Sequence, residues 1–244
     1  RRENQGLCSL HVDAAIDSLK YKDLKLAGYA TLDLNDTDNN GSLETIKLSA
    51  GIDELNIQLP GSTQQSKLYG EIKDLVIVEN DIQSWTVIGG IDDFSIANLF
   101  TASGFARLNY TKERGQISGL VGVKDFSLKL PGNGMGETSS GTASGELAFD
   151  WYDGSLHQWK LSAGVKDLKL AQGFTITGGV ALEYRDAEYE TNTYKKSAYY
   201  LNATLKEAAI TLGDNMNPIV VSGELKDLVI TNDAGKQTIQ SWTL

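Results

Sequence analysis

The stretch Trp159-Lys-Leu161-Ser-Ala163-Gly-Val165-Lys-Asp-Leu168-Lys-Leu170 decides the fold. From Trp159 to Val165 every second residue is apolar or small, which is the period of a β-strand with one apolar face. Two polar residues, Lys166-Asp167, then follow in succession, and the alternation resumes at Leu168 one step out of phase. If one face is to stay apolar on both sides, the extra residue must be absorbed as a β-bulge, which bends the strand.

The same pattern recurs along the chain. Leu10, Val12, Ala14 and Ile16 precede Asp17-Ser18, then Leu19 and Tyr21 follow. Ile46 to Ile52 precede Asp53-Glu54, and Trp85, Val87, Gly89 and Ile91 precede Asp92-Asp93 and Phe94. Ile117, Gly119, Val121 and Val123 precede Lys124-Asp125 and Phe126. Tyr199, Leu201, Ala203 and Leu205 precede Lys206-Glu207, then Ala208 and Ile210. A seventh copy opens at Ser241-Trp242, echoing Ser84-Trp85. The first anchors are residues 10, 46, 85, 117, 159, 199 and 242, so the spacings run 36, 39, 32, 42, 40 and 43. A repeat cut off at Leu244, in a chain that opens at Arg1 without Met, reads as part of a longer protein.

Between these long strands lies a second, usually Gly-led strand, such as Leu26-Gly28-Ala30-Leu32 or Ile176-Gly178-Val180-Leu182. Two of them carry the polar pair as well, at Lys73-Asp74 and Lys226-Asp227. Turn residues join the pairs at Glu79-Asn80-Asp81, Arg114-Gly115, Asp153-Gly154 and Asn232 to Gly235. The expectation is an all-β, up-and-down antiparallel meander of hairpin repeats. Its bulged strands let the sheet fold on itself as an elongated β-solenoid or groove. The approximate repeats are 1–23, 24–66, 67–101, 102–142, 143–173, 174–219 and an incomplete 220–244, in one array over 1–244.

Positions between the stripe residues are polar, as at Thr45, Lys47 and Ser49. Such a sheet is apolar on one side only and needs a cover. No segment carries a helical period of useful length. The predicted lining is Trp85, Val87, Ile91 and Phe94; Val121, Val123 and Phe126; Trp159, Leu161, Val165 and Leu168; and Leu201, Leu205 and Ile210. Ala14, Ala50, Gly89, Ala163 and Ala203 narrow the middle of the stripe, as if at one level.

Composition narrows the function. The chain has 22 Lys+Arg against 32 Asp+Glu, a net charge of −10. That excludes a basic nucleic-acid surface and disfavours an anionic membrane. One cysteine, Cys8, allows no internal disulfide. No apolar run reaches the length of a membrane-spanning helix.

The phrases Ile72-Lys-Asp-Leu75-Val-Ile77, Val123-Lys-Asp-Phe126-Ser-Leu128, Val165-Lys-Asp-Leu168-Lys-Leu170 and Leu225-Lys-Asp-Leu228-Val-Ile230 resemble repeats of the AsmA/TamB-like envelope proteins. The resemblance spans most of the chain and consists of Gly-led strands, alternating Leu and a polar pair. It implies a long β-meander shaped into an apolar groove that carries lipid, in a bacterial cell envelope (periplasm) or at an extracellular surface. The membrane anchor and terminal domain usual in that family are not seen in this sequence.

Enzyme chemistry finds no constellation. His11 and His157 read as solvent-facing strand residues, and nothing in the sequence groups with either. No Gly-x-Ser-x-Gly, His-Glu-x-x-His or phosphate-loop motif occurs. Asp92-Asp93 and Asp53-Glu54 are adjacent in a strand and point to opposite faces, so they cannot converge on one bond. The reading is non-enzymatic.

One segment has ligand spacing. Asp36, Asp38, Asn40 and Glu44 place oxygens at positions one, three, five and nine of a calcium loop, with Gly41 at six and Ser42 as a further candidate ligand. Lys47 stands where the bidentate Glu belongs, so the expectation is weak Ca2+ binding or a plain turn. Four Asn-x-Ser/Thr sequons, at Asn35, Asn40, Asn109 and Asn202, matter only after eukaryotic secretion.

Two functions stay open. In one the apolar face is a groove that handles or bridges lipid. In the other the sheet packs dry on itself as an extracellular structural or adhesive stalk or filament segment. The expected partners are neighbouring repeats or other copies end to end. The uncharged Ile239 to Leu244 edge would pair with Leu10 to Tyr21 of another copy.

Overall fold

The computed structural model describes residues 9–21, 24–36, 44–58, 62–96, 100–128, 142–170, 174–210 and 217–244. Thirteen strands follow in chain order: β1 (Ser9–Tyr21), β2 (Leu24–Asn35), β3 (Thr45–Gln58), β4 (Gln65–Val78), β5 (Asp81–Ile96), β6 (Phe100–Thr111), β7 (Gln116–Leu128), β8 (Thr142–Tyr152), β9 (Ser155–Leu170), β10 (Phe174–Arg185), β11 (Ser197–Ile210), β12 (Ile219–Asp233) and β13 (Lys236–Thr243). One 3-10 turn, Lys112–Arg114, joins β6 to β7. The strands form a single sheet in the order β1 to β13, each paired antiparallel with its sequence neighbours. β1 and β13 are its two edges and do not meet, so the meander is open rather than closed into a barrel.

Turn chemistry sets the hairpins. The two central turn residues have positive φ at Glu79-Asn80 (50° and 65°), Asp153-Gly154 (49° and 76°) and Ala234-Gly235 (49° and 87°). Two successive left-handed residues match the right-handed twist of the flanking strands.

Every predicted polar pair is a bulge. Across the β9–β10 ladder Val165 faces Gly178 and Leu168 faces Ile176, so Lys166 and Asp167 share the single partner position Thr177. Asp92-Asp93 likewise oppose Ser103, Lys73-Asp74 oppose Ser49, and Lys226-Asp227 oppose Asn202. Shifts of the same kind occur at Asp17-Ser18, Asp53-Glu54, Lys124-Asp125 and Lys206-Glu207. The extra residue restores phase. Trp85 faces Tyr110 and Phe94 faces Ala102 on the unbulged β6, so both lie on one face, as Trp159 and Leu168 do across from Tyr184 and Ile176.

Four of these bulges share a detail. Asp74, Asp93, Asp167 and Asp227 have φ of 53°, 54°, 50° and 53°. Asp tolerates this left-handed region better than most residues. The bulge takes the amide of that Asp out of the ladder, and a side chain on the neighbouring strand receives it. Asp74 N–H donates to Ser49 Oγ (3.3 Å), Asp93 N–H to Ser103 Oγ (3.2 Å), Asp167 N–H to Thr177 Oγ1 (3.1 Å) and Asp227 N–H to Asn202 Oδ1 (2.9 Å). The carbonyls of three are also held, accepting from Ser84, Ser66 and Ser241 hydroxyls. Paired this way, the bulges leave few backbone groups to water.

Three strands contain a second bulge just before a tryptophan. The extra residues are Gln83 in β5, His157 in β9 and Gln240 in β13. Aromatic rings cover cross-strand glycines: Tyr69 over Gly90, Phe105 over Gly122 and Phe149 over Gly119. A Cβ at any of these glycines would fall within 2.6 Å of ring carbon, so a larger residue would displace the ring.

The substantial contacts between elements run only between neighbouring strands. No second layer covers the sheet among the described residues, and the buried apolar side chains are Ala198 and Val229. The stripe is therefore one-sided, as expected, yet half-exposed. Leu161 retains 39% of its surface and Val121 42%. Nothing among the described residues supplies the wall-to-wall contact of a dry, self-packed sheet.

Candidate functional site: an uncovered apolar face

Register places every predicted lining residue on one face. Trp85, Val87, Ile91 and Phe94 come from β5, Val121, Val123 and Phe126 from β7. Trp159, Leu161, Val165 and Leu168 come from β9, and Leu201, Leu205 and Ile210 from β11.

The face is continuous across the sheet. Ala14, Ala30, Ala50, Ile72, Val87, Leu108, Gly119, Phe149, Trp159, Tyr184, Tyr199, Ile230 and Ile239 are successive cross-strand partners through all thirteen strands. No charged side chain interrupts the row, and its polar atoms are confined to ring edges. A second row runs from Ile16 through Gly70, Gly89, Val121, Leu147, Leu161 and Leu201 to Leu228. At one inter-strand spacing per step the thirteen-strand row spans roughly 55–60 Å.

The small residues do not share one level. Ala14 and Ala50 lie in the first row and Gly89 in the second, while Ala163 and Ala203 lie in a third with Leu68 and Val180. Strand stagger, invisible in equal-phase counting, distributes them diagonally. An open depression of about 800 Å3 lies at the bulges of β9 to β11, lined by Val165, Gly178, Val180, Thr204 and Lys206 among others.

Aromatic rings crowd the half of the face toward the turns at Asn80, Gly115 and Gly154. Trp85 stacks with Tyr110 (centroids 5.8 Å, 18°) and Trp159 with Tyr184 (6.3 Å, 20°), which leans on Tyr199 at 5.2 Å. Each ring turns its face toward a neighbour. A sugar-stacking platform needs those faces free, so the geometry argues against one.

The opposite face is polar and ion-paired. Lys25 meets Glu54 at 2.7 Å, and Tyr29 Oη donates to Glu71 at 2.7 Å beside Lys73 at 2.8 Å. The hydrogen bond to Glu71 pushes the Tyr29 hydroxyl up to about 12, while Lys73 holds the Glu71 carboxyl low. His11 contacts Asp33 and Asp13, and those hydrogen bonds, Asp33's first, raise its pKa above 6.5. His11 is solvent-facing, as expected.

His157 is not. It is 3% exposed, stacks on Tyr152 (3.5 Å, 6°) and pairs Nδ1 with Asp186 Oδ2 at 2.7 Å. As the extra residue of a bulge it turns away from the stripe and anchors the 186–196 loop. Asn192, 1% exposed, centres that loop. Its Nδ2 donates to the carbonyls of Asp186 and Lys196, and its Oδ1 accepts from Tyr194 N–H at 3.0 Å. This element escapes detection in the sequence because its polar run looks like an ordinary connection.

Of the calcium-loop residues, Asp36 is buried and Glu44 closes the β2–β3 connection through its amide to Asn35 O. Asp38, Asn40 and Ser42 lie outside the described residues. Among the described residues no three acidic, His or Cys side chains form a metal cluster, and no helix is long and apolar enough to cross a membrane. No family model, curated protein or solved structure matches the chain.

Proposed function

We propose that this chain is a non-enzymatic segment of an apolar β-groove that carries lipid acyl chains. One observation supports the reading above others: a charge-free apolar face runs unbroken through all thirteen strands and is left half-exposed. Exposed apolar patches of this extent mark binding surfaces. A path of roughly 55–60 Å with no charge or break lets an apolar chain shift from strand to strand at nearly constant energy. The acidic, ion-paired opposite face suits water. The resemblance to envelope lipid-transfer repeats points the same way.

The stalk reading requires the face to be covered by itself, and no such contact supports it. Native mass spectrometry of the purified chain, followed by organic extraction, tests the groove. Co-purifying phospholipid is expected; a stable chain free of lipid at all conditions would overturn it.

A further inference from the structure

The apolar face has two unlike halves. Toward the turns it carries Trp85, Tyr110, Trp151, Trp159, Tyr184 and Tyr199. Beyond the bulges the stripe positions are mostly aliphatic, with Phe94, Phe100, Phe126 and Phe174 and one Tyr, Tyr21, at the end of β1. Trp and Tyr favour a boundary where one end of the ring is apolar and the other wet, whereas Phe has no polar handle.

Charge is uneven at the same margin. Lys112 is matched by Asp81, and Arg114 by Glu190 at 3.7 Å. Glu79, Glu113, Asp153 and Glu188 in the turns of this margin make no ion pair among the described residues, against two such lysines, Lys195 and Lys236. The margin therefore combines amphipathic Trp and Tyr rings with surplus carboxylate, a combination that favours a zwitterionic headgroup carrying an ammonium group.

We infer, building on the groove reading, that lipid lies along the strands with its acyl chains over the bulged half and its headgroup at the Trp/Tyr margin, and that ammonium-bearing zwitterionic headgroups are preferred. Anionic headgroups without an amine meet the same carboxylates and are disfavoured.

The test uses the Trp242→Phe chain, so that Trp85, Trp151 and Trp159 alone report. It is mixed with phosphatidylethanolamine or phosphatidylglycerol of identical acyl chains, brominated either near the glycerol end or near the methyl end. Phosphatidylethanolamine should bind roughly fivefold more tightly. Bromine near the glycerol should quench tryptophan emission more than bromine near the methyl end. Equal affinities, or stronger quenching from the methyl end, would overturn the inference while leaving the groove intact. Binding of neither lipid would overturn the groove reading itself. Glu113→Gln with Asp153→Asn, both exposed turn positions, should reduce the preference without changing quenching depth; an unchanged preference would count against the carboxylates' role.

Discussion

Asp74 and Ser49 sit on neighbouring strands, and the amide that the bulge frees at Asp74 is received by the Ser49 hydroxyl at 3.3 Å. The same exchange links Asp93 to Ser103, Asp167 to Thr177 and Asp227 to Asn202. A crease repeated this way belongs to the repeat rather than to one strand.

Removing the acceptor should loosen the bulge. Asn202→Ala leaves the Asp227 amide to water on an exposed face, so the cost should be modest, about 0.5–1.5 kcal/mol. Asp74→Val should cost more, about 1–3 kcal/mol, because a β-branched side chain resists positive φ. Asp74→Gly, which takes that φ without strain, should be close to neutral. Urea unfolding of the three variants checks the order; a neutral Asp74→Val would mean that the left-handed bulge is not needed.

Bulges at all eight polar pairs were legible in the sequence, because a phase slip against period-two alternation has one economical solution. The side-chain acceptors were not. Ser49, Ser103, Thr177 and Asn202 look like ordinary outward polar residues until register sets them opposite a freed amide. The second bulges escaped notice because Gln83 and His157 sit three residues into their strands and Gln240 lies in the short β13, so the alternation before each is too brief to show a slip. The shared face of the apolar stripe follows from phase, but its exposure depends on whether a second layer exists, which periodicity does not encode.

Asn192 should control the 186–196 loop and little else. Asn192→Ala removes the acceptor of the Tyr194 N–H and the amide that donates to the Asp186 and Lys196 carbonyls in a buried site, a local cost of about 2–4 kcal/mol. Amide hydrogen exchange should rise across 186–196, while strands β5 to β8 keep their protection. Uniform loss of protection would contradict a local role.

His11 gives a pH signature. Its raised pKa means that the folded chain holds the imidazole proton more tightly than the unfolded one. The contribution is therefore full below the ordinary imidazole range and fades as pH rises through the raised value. An NMR titration should place the His11 midpoint above 6.5, and Asp33→Asn should lower it most, since Asp33 is the largest cause. An ordinary midpoint in the parent would refute the pairing.

Strand parity changes how copies would join. β1 and β13 are both odd in an alternating meander, so they run the same way, and a translated copy would set them parallel. Antiparallel pairing with a shared apolar face needs a two-fold axis normal to the sheet, joining β1 to β1 or β13 to β13. With Val12 opposite its own copy, His11 falls against Asp13 in both directions. Sedimentation velocity should show dimers before larger species, and Thr243→Lys should weaken only the β13 edge. A monomer at every concentration would exclude such pairing.

The claim that the exposed face carries acyl chains is tested most directly by residue-specific photocrosslinking in the presence of phospholipid. A benzophenone side chain is placed at Leu147, in the second apolar row, or at Ala148, its neighbour on the polar face. Lipid adducts, read by mass spectrometry, are expected at 147 and not at 148. Equal adducts at both positions, or none at 147, would contradict the groove.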